Sequence, residues 1–296
     1  MKITRRNFAR LMAALPIASA ARAATVIDPE VVIVGAGAAG IGAAQTLISG
    51  GRRVQVIEAG PRIGGRCFTD TAVFGVPFDR GAAWLKGGEQ NPLAGFARLY
   101  GFDLAQRDAR ELVFASGTRV PLPSNNAYHR AVFAVSGAIA NAAEQPDDVA
   151  ASDAVPLLLD DETRAWAATA STAIGPLDMG VDLSALSAKD WFQREEAEAR
   201  RRLRQGLGTL LSRMAFGMPI AVNTIARRVS VARGGVVVET DRGALHAKAA
   251  IVTASVGVLA SGAIRFDPSP EAAMTDAFAG LPMGLLAKTV LFFGEG

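Results

Sequence analysis

Residues 31 to 58 read VVIVGAGAAGIGAAQTLISGGRRVQVIE, and this stretch decides the fold class. Its first four residues are apolar and predict a buried strand of a parallel sheet. Gly35, Gly37 and Gly40 follow in the spacing G-x-G-x-x-G. The first glycine allows a tight turn, the second lets the backbone approach a pyrophosphate, and the third lets helix pack on strand. The stretch therefore predicts a Rossmann-like α/β unit that binds a dinucleotide.

The rest of this stretch predicts how the nucleotide is held. A helix over Ala38–Ser49 would direct its positive N-terminal end, with Ala38 and Ala39, at the phosphates. A second strand is predicted at residues 53 to 57. Glu58 follows it, eighteen residues after the third glycine, where a carboxylate accepts hydrogen bonds from ribose hydroxyls. Such an acid disfavours a 2′-phosphorylated nucleotide but leaves both NAD and FAD open.

The next residues, GPRIGGRCFT at 60 to 69, distinguish the two cofactors. Gly64 and Gly65 permit close backbone approach, and Arg66 can pair with a phosphate oxygen. Here the sequence resembles the flavin-containing amine oxidase superfamily, whose E-A-x-x-x-x-G-G-R arrangement runs from Glu58 to Arg66. The resemblance implies FAD as the cofactor. It also implies an α/β fold: a Rossmann-like FAD/NAD(P)-binding domain of the GR2 type with an interleaved α+β substrate domain.

Two further blocks carry the resemblance. Residues 78 to 101, FDRGAAWLKGGEQNPLAGFARLYG, resemble the G-A-x-W-[I/V]-x-G…N-P-[L/I] segment of the polyamine-oxidase-like branch. Residues 218 to 270 resemble the second FAD-domain segment, in which the backbone near Ala226 contacts the adenine. Independently of the family, residues 225 to 240 predict a β-hairpin around two glycines, and residues 249 to 253 predict a buried strand.

The last block, GLLAKTVLFF at residues 284 to 293, contains the catalytic candidate. It resembles the family's x-x-x-K-[V/I]-x-L-x-F, in which one lysine holds a water molecule bonded to flavin N5. Lys288 takes that place. A lysine that enters an apolar strand is costly without a partner, which also indicates a functional contact. Strand alternation would put Lys288, Val290 and Phe292 on one face. The alternative is a strand-end lysine that reaches solvent.

The resemblance thus implies a set of cofactor-binding residues in addition to catalytic Lys288. They are Gly35, Gly37, Ala38, Ala39, Gly40, Glu58, Ala59, Gly64, Gly65, Arg66, Gly81, Ala82, Ala83, Trp84 and Ala226. The alternative for Trp84 is a packed position in the protein core, away from the flavin.

Three other residue types receive a weaker interpretation. Lys86 stands where several polyamine-oxidising relatives carry His or Glu, so it either disfavours a polyamine or points to solvent. Cys67 is interpreted as a small buried residue rather than a covalent flavin attachment. His129 and His246 lack metal-ligand spacing, and no metal site is predicted.

The N-terminal residues, MKITRRNFARLMAALPIASAARA, have the pattern of an export signal. Paired arginines precede a short apolar stretch, and Ala21-Arg22-Ala23 forms a cleavage-site pattern. The arginine pair favours the twin-arginine route. Residues 1 to 23 are therefore expected to be a twin-arginine signal peptide, with a periplasmic or secreted protein and the twin-arginine machinery as a partner.

Charge and hydropathy narrow the other partners. The chain has 31 Lys and Arg against 28 Asp and Glu, but five of the basic residues lie in the signal, which leaves 26 against 28. A net charge of −2 gives no indication of a nucleic-acid partner. The signal's apolar stretch is too short for a stable membrane anchor. The resemblance implies a small-molecule amine and O2 as the remaining partners.

The resemblance also implies a domain order. The FAD-binding domain takes residues 24 to 98 and 215 to 270, and a mostly helical substrate-binding domain takes residues 99 to 214. Residues 271 to 296 begin the sheet of the substrate domain. Within the helical part, residues 112 to 123 predict a strand pair, and the charge run at 194 to 204 is interpreted as a solvated helix face.

The resemblance, together with the signal pattern, implies an expected activity: an exported, FAD-dependent oxidation of an amine to an imine, with hydride transfer to flavin N5 and O2 reduced to H2O2. The resemblance ends before the family's C-terminal FAD segment, so a truncated chain is expected to bind FAD poorly. The alternatives are a non-catalytic nucleotide-binding fragment and another FAD oxidoreductase of the superfamily, such as a desaturase or a protoporphyrinogen-oxidase-like protein.

Overall fold

The computed structural model describes residues 28–106, 113–115, 117–120, 126–155, 160–194 and 200–291. Contacts divide the chain into two compact units. Unit 1 is Met1–Phe68 with Gly208–Ala279, and unit 2 is Thr69–Leu207 with Gly280–Gly296. The domain boundaries expected from the sequence, after residues 98, 214 and 270, follow the family's segments and stay a prediction. The expected signal peptide lies outside the described residues.

The described residues form strands and helices throughout both units. The strands are β1 Val31–Val34, β2 Val54–Ile57, β3 Thr69–Asp70, β4 Phe78–Asp79, β5 Leu85–Lys86, β6 Leu104–Gln106, β7 Val113–Ala115, β8 Thr118–Val120, β9 Arg200–Leu203, β10 Ile220–Ala221, β11 Ala226–Ala232, β12 Gly235–Thr240, β13 Gly243–Ala247, β14 Ala249–Val252 and β15 Arg265–Asp267. The α-helices are α1 Ala38–Ser49, α2 Pro92–Leu99, α3 Ala127–Ala143, α4 Asp161–Arg164, α5 Ala167–Thr172, α6 Ala188–Gln193, α7 Leu207–Met214, α8 Val256–Ala260 and α9 Ala272–Gly280. Short 3-10 helices at Gly88–Gln90 and Leu183–Ala185 and a π-helix at Ala173–Met179 complete the set.

Unit 1 contains the predicted parallel sheet, in the order β10-β2-β1-β14. All three pairings are parallel, with Val31 opposite both Val54 and Ala249. The predicted helix is confirmed as α1. All four residues of β2 are buried, as expected of a central strand that is covered on both faces. The prediction of a buried strand at residues 249 to 253 is wrong in its burial: β14 lies at the edge, with Ala249 exposed and the other residues half-buried.

A second sheet, β13-β12-β11-β15, lies over the parallel sheet within unit 1. The predicted hairpin is confirmed as β11 and β12, which pair antiparallel. Val32 and Val34 of β1 share one buried cluster with Val229 and Val238 of the second sheet. Each such fully buried side chain contributes roughly 1.5–3 kcal/mol. This core fixes the carboxyl ends of β1 and β2, where the glycine motif begins.

Unit 2 has its own core around α3. Asn126 caps this helix, since its side-chain oxygen accepts from the His129 amide at 2.8 Å. Ala131, Val135 and Ile139 then recur every four residues and form the buried stripe that packs in one cluster with α5 and α6. The prediction of a mostly helical region is thus met around α3.

Strands interrupt the helical part of unit 2. The predicted pair within residues 112 to 123 is confirmed as the antiparallel hairpin of β7 and β8. The interpretation of the charge run as a helix face is wrong for its described end, because Arg200–Leu203 forms β9, the central strand of β5-β9-β6. Leu203 is buried there, so period-2 burial and pairing on both edges outweigh the helical propensity of arginine. Residues 195–199 lie outside the described part.

Residues 281–291 of unit 2 have no regular secondary structure, so the predicted strand at Lys288 is not formed. Among the described residues, the amide of Leu285 makes this segment's one backbone hydrogen bond, to the Gly180 carbonyl at 3.2 Å. A strand requires a partner strand for its backbone groups, and this segment has none in the described part. Phe292, expected on the face of Lys288, lies outside the described residues. Across the ranges described, none of the helices has the length and apolar character needed to span a bilayer.

Candidate flavin site

The glycine motif in unit 1 forms a tightly packed turn. Gly35 has φ +106°, and a Cβ there would lie 2.6 Å from Thr253 Oγ1. Its amide donates to the Ile57 carbonyl at 2.8 Å. A Cβ at Gly40 would lie 1.9 Å from the Gly35 carbonyl oxygen, so α1 approaches the turn as closely as backbone allows. The turn and the helix packing predicted for these glycines are therefore both present.

Gly37 differs from its two neighbours in the motif. A Cβ at Gly37 would meet nothing within 4 Å, so protein packing does not explain the glycine. Gly37 is the N-cap of α1, and no side chain caps the helix within the described residues. Ala38 and Ala39 in the first turn are exposed. The uncapped amides of this turn, at the positive end of a twelve-residue helix, are suited to bind a phosphate.

Glu58 joins the end of β2 to the glycine turn. Its Oε2 accepts from the Ala36 amide at 2.9 Å, and its Oε1 accepts from the Gly60 amide at 2.8 Å. A carboxylate has about four acceptor sites, so these two bonds leave room for ribose hydroxyls. The sequence pattern predicted that Glu58 binds a ribose and missed its bonds to the Ala36 and Gly60 amides. Strand alternation could not reveal these bonds, because both partners are backbone amides.

The second glycine pair lies against the first motif. The Gly64 amide donates to the Ala36 carbonyl at 2.8 Å, and Gly64 forms a bridge with Gly37. A Cβ at Gly65 would lie 3.3 Å from the Gly37 Cα. The structure thus brings together the two glycine groups that the sequence separates by more than twenty residues.

Three further predicted cofactor residues of unit 1 differ in their exposure. Arg66 and Ala59 are exposed, and in the described part of the chain the Arg66 guanidinium has no ion-pair partner. Ala226 begins β11 and is buried in the same cluster as Val34 and Ile57, the last residues of β1 and β2. The predicted adenine contact would therefore use backbone at the carboxyl edge of the parallel sheet.

These features fit the diphosphate and ribose of a dinucleotide. The open space at Gly37 and the uncapped first turn of α1 accommodate the pyrophosphate. Arg66 supplies a cation without a competing partner among the described residues, and Glu58 supplies acceptors. The residues of unit 1 that would hold FAD are therefore compatible with its adenosine diphosphate portion.

Lys288 belongs to unit 2, where it reaches the block at residues 78 to 84. Its Nζ donates to the Gly81 carbonyl and, at 3.3 Å, to the Asp79 carbonyl. The sequence predicted a functional partner for this lysine, and its described partners are two backbone oxygens. Asp79 was missed, although an acid two residues before the Gly-Ala pair of a motif block is a usable signal.

The other members of this block are partly open. Ala82 is exposed, Ala83 is half-buried and Trp84 is 39% exposed, so Trp84 is not a core residue. The Lys86 side chain is 54% exposed, with its Nζ 3.9 Å from the Asp178 carboxylate. Lys86 is therefore a surface residue with an acidic neighbour. The roles given to these residues stay predictions.

Comparison with known proteins identifies the family. The model of the flavin-containing amine oxidoreductases matches residues 38–295, and the chain belongs to this family. The family's flavin confirms the FAD prediction at the level of the class. The probable polyamine oxidase 4 of Arabidopsis thaliana is 28% identical over 295 residues, which cover 90% of this chain and 58% of the relative. The chain thus spans less than two thirds of that protein's length.

Solved structures confirm the predicted fold class. A putrescine oxidase with bound putrescine aligns with a TM-score of 0.68 at 21% identity, covering 86% of this chain and 63% of that one. The cyclohexylamine oxidase of Brevibacterium oxydans IH-35A gives a TM-score of 0.68 at 20% identity, with the same coverage. At this identity the likeness is one of fold.

Proposed function

We propose that the chain supplies the FAD-binding and amine-positioning parts of an FAD-dependent amine oxidase that acts on a small amine with O2 as the final electron acceptor. The observation that carries the proposal is the contact of Lys288 Nζ with the Gly81 carbonyl. It joins two residues that are 207 positions apart in the sequence and belong to two different blocks of family resemblance.

The residues of the chain would divide the work between them. The first turn of α1, with Gly37 and Arg66, would bind the pyrophosphate, and Glu58 would bind a ribose. FAD, when bound, supplies an acceptor at N5 for the hydride that leaves the carbon next to nitrogen, and its reoxidation by O2 gives H2O2. Lys288 donates two N–H groups to carbonyls in the described part, and an ammonium has three. Its third N–H would hold a water molecule near the reacting amine.

Gly37→Ala tests the FAD site. Gly37 has φ −78° and open space at Cβ, so alanine fits the chain itself and collides only with a bound pyrophosphate. We expect FAD and ADP to bind at least about tenfold more weakly to this variant, measured by titration of the purified chain. Gly42→Ala is the matched control, because its Cβ also meets nothing and it lies further along the same helix. Equal affinities in wild type and Gly37→Ala would refute the proposed pyrophosphate site at Gly37.

Amine turnover separates the proposed activity from the alternatives. Protein loaded with FAD is mixed anaerobically with putrescine, spermidine, cyclohexylamine or benzylamine while the flavin absorption is recorded. Bleaching by an amine, followed by H2O2 formation on admitting O2, supports amine oxidation. Lys288→Met should slow reduction or reoxidation without changing FAD content. FAD binding with no bleaching by any amine would favour a nucleotide-binding chain without turnover.

We also propose export by the twin-arginine route. The support is the sequence of residues 1 to 23, with its adjacent arginines, short apolar stretch and small residues at the cleavage pattern. Replacing Arg5 and Arg6 by lysine should leave the chain in the cytoplasm of a bacterial host that carries this machinery. Unchanged periplasmic yield in that variant would refute the route.

A further inference from the structure

The position of Lys288 is determined by a remote segment of unit 2. Residues 281–291 have no regular structure, and the apolar side chains of Leu285 and Leu291 are largely exposed. The Lys288 ammonium is held by the carbonyls of Asp79 and Gly81. Whatever fixes the backbone at residues 79 to 81 therefore fixes the ammonium.

The carboxylate of Asp79 fixes this backbone. Asp79 is only 6% exposed. Its Oδ1 accepts from the Thr69 hydroxyl at 2.5 Å, and the Leu207 amide donates to Oδ1 at 3.0 Å and to Oδ2 at 3.1 Å. Bonds to a buried carboxylate are charge-assisted and stronger than neutral ones. One residue thus accepts from Thr69 and Leu207 through its side chain and from Lys288 through its carbonyl.

The local strands are too short to fix this geometry alone. β3 and β4 have two residues each and pair antiparallel, with Thr69 opposite Asp79. Thr69 also lies close to Gly206, because a Cβ at Gly206 would lie 2.3 Å from both its Oγ1 and its Cγ2. Gly206 has φ +90°, which glycine adopts without strain. Thr69 therefore packs closely on Gly206, while its hydroxyl bonds to the Asp79 carboxylate.

We propose that Thr69 and Asp79 are positioning residues for Lys288. The Asp79 carboxylate, held by the Thr69 hydroxyl and the Leu207 amide, fixes the carbonyls that hold the ammonium. The relevance to catalysis rests on the proposed function, whereas the positioning itself does not. A test should therefore measure both the chemical reactivity of Lys288 and the rate of amine turnover.

Thr69→Val and Thr69→Ser form the matched pair for the test. Valine keeps the shape and removes the donor, whereas serine keeps the hydroxyl. The full chain is treated with an acetylating reagent, and the modification rate of Lys288 is followed by peptide mass spectrometry, with Lys248 as internal reference. We expect Lys288 to react about fivefold faster in Thr69→Val, the factor for one net hydrogen bond, and at the wild-type rate in Thr69→Ser. Lys248, on an exposed ion pair with Glu30 in unit 1, should not change.

Two labelling results would overturn the positioning role. One is an unchanged Lys288 rate in Thr69→Val. The other is an equal rise at Lys288 and Lys248, which would mean that the hydroxyl supports only the global fold. In the FAD-loaded protein, Thr69→Val should lower kcat about fivefold at unchanged KM and FAD content, with recovery in Thr69→Ser. Absence of turnover in the wild type would count against the proposed function and leave the labelling result intact.

Discussion

The glycine turn of unit 1 and the Lys288 segment of unit 2 hold functional residues in opposite ways. The turn at residues 35 to 40 is closed by bonds to its own neighbours, from Gly35 to Ile57 and from Ala36 to Glu58. The segment at residues 281–291 exposes most of its apolar side chains, including Leu285 at 88%. Lys288 is held there by carbonyls more than two hundred residues away in the sequence.

The two regions differ in which residues determine their geometry. In the turn, the motif residues pack largely on each other, with Thr253 as a distant partner, so a substitution acts directly on the geometry. At Lys288, the geometry depends on Asp79, Thr69 and Gly206, and none of them belongs to the lysine's own sequence block. Substitutions in the two regions should therefore fail in different ways.

Gly40→Ala should break the turn with the largest effect. The added Cβ would lie 1.9 Å from the Gly35 oxygen, and both groups are backbone that cannot rotate away. We expect a loss of about 3 kcal/mol of local stability, at the upper end for overpacking. Hydrogen exchange of peptides from residues 31 to 58 measures this loss without relying on tryptophan, since Trp84, Trp166 and Trp191 all belong to unit 2.

Gly42→Ala is the control on the same helix. Its Cβ would meet nothing within 4 Å, and alanine is the better helix former by about 1 kcal/mol. It should therefore slow exchange slightly. If Gly40→Ala did not speed exchange, the close packing of α1 on the turn would be wrong.

Gly206→Ala should have the next largest effect, in unit 2. Alanine at φ +90° is strained, and its Cβ would press on Thr69. We expect a loss of about 2 kcal/mol in urea unfolding followed by tryptophan fluorescence. Gly101→Ala carries only the strain, because Gly101 has φ +72° and open space, and should lose about 1 kcal/mol. Equal losses would show that contact with Thr69 contributes nothing.

The parts of the fold that the sequence predicted are those with local signals. Strand, glycine spacing and terminal acid lie within 28 residues, and α1 has the predicted bounds. The β11–β12 hairpin was equally readable, since two β-rich runs flank a glycine pair. In each case the residues that form the contact are neighbours in the sequence.

The parts that could not be predicted depend on distant partners. The apolar residues after Lys288 favour a strand, but a strand requires hydrogen-bonding neighbours, and the described residues offer none. The arginines of β9 favour a helix by propensity and form a strand because β5 and β6 pair with them. The position of Asp79 before the Gly-Ala pair could mark it as a candidate, but its role could not be predicted, because its partners, Thr69 and Leu207, precede and follow it in unrelated segments.

The smallest effect per residue is expected from acid, which should lower the stability of unit 2 more than that of unit 1. In the described part of the chain, three aspartates of unit 2 have a lowered pKa, namely Asp70, Asp148 and Asp160, whereas unit 1 has Glu30 alone. The amides of Ala72 and Val73, followed by the charge of Arg80, hold the pKa of Asp70 below its usual 3.8. A carboxyl with a lowered folded-state pKa stabilises the protein above the unfolded value, and this stabilisation is lost as the pH falls through the folded value.

Unit 2 should therefore lose stability more steeply than unit 1 as the pH falls below 3.8, the ordinary aspartate value. Acid titration followed by tryptophan fluorescence reports unit 2, and hydrogen exchange of residues 31 to 58 reports unit 1. Asp70→Asn should lower the stability of unit 2 at neutral pH and flatten its dependence below that value, because asparagine does not titrate. Asp161→Asn, at a side chain 97% exposed that pairs with Arg164, is the control for a change of surface charge. A wild-type slope in Asp70→Asn would mean that the bonds to Ala72 and Val73 do not distinguish the folded carboxylate from the unfolded one.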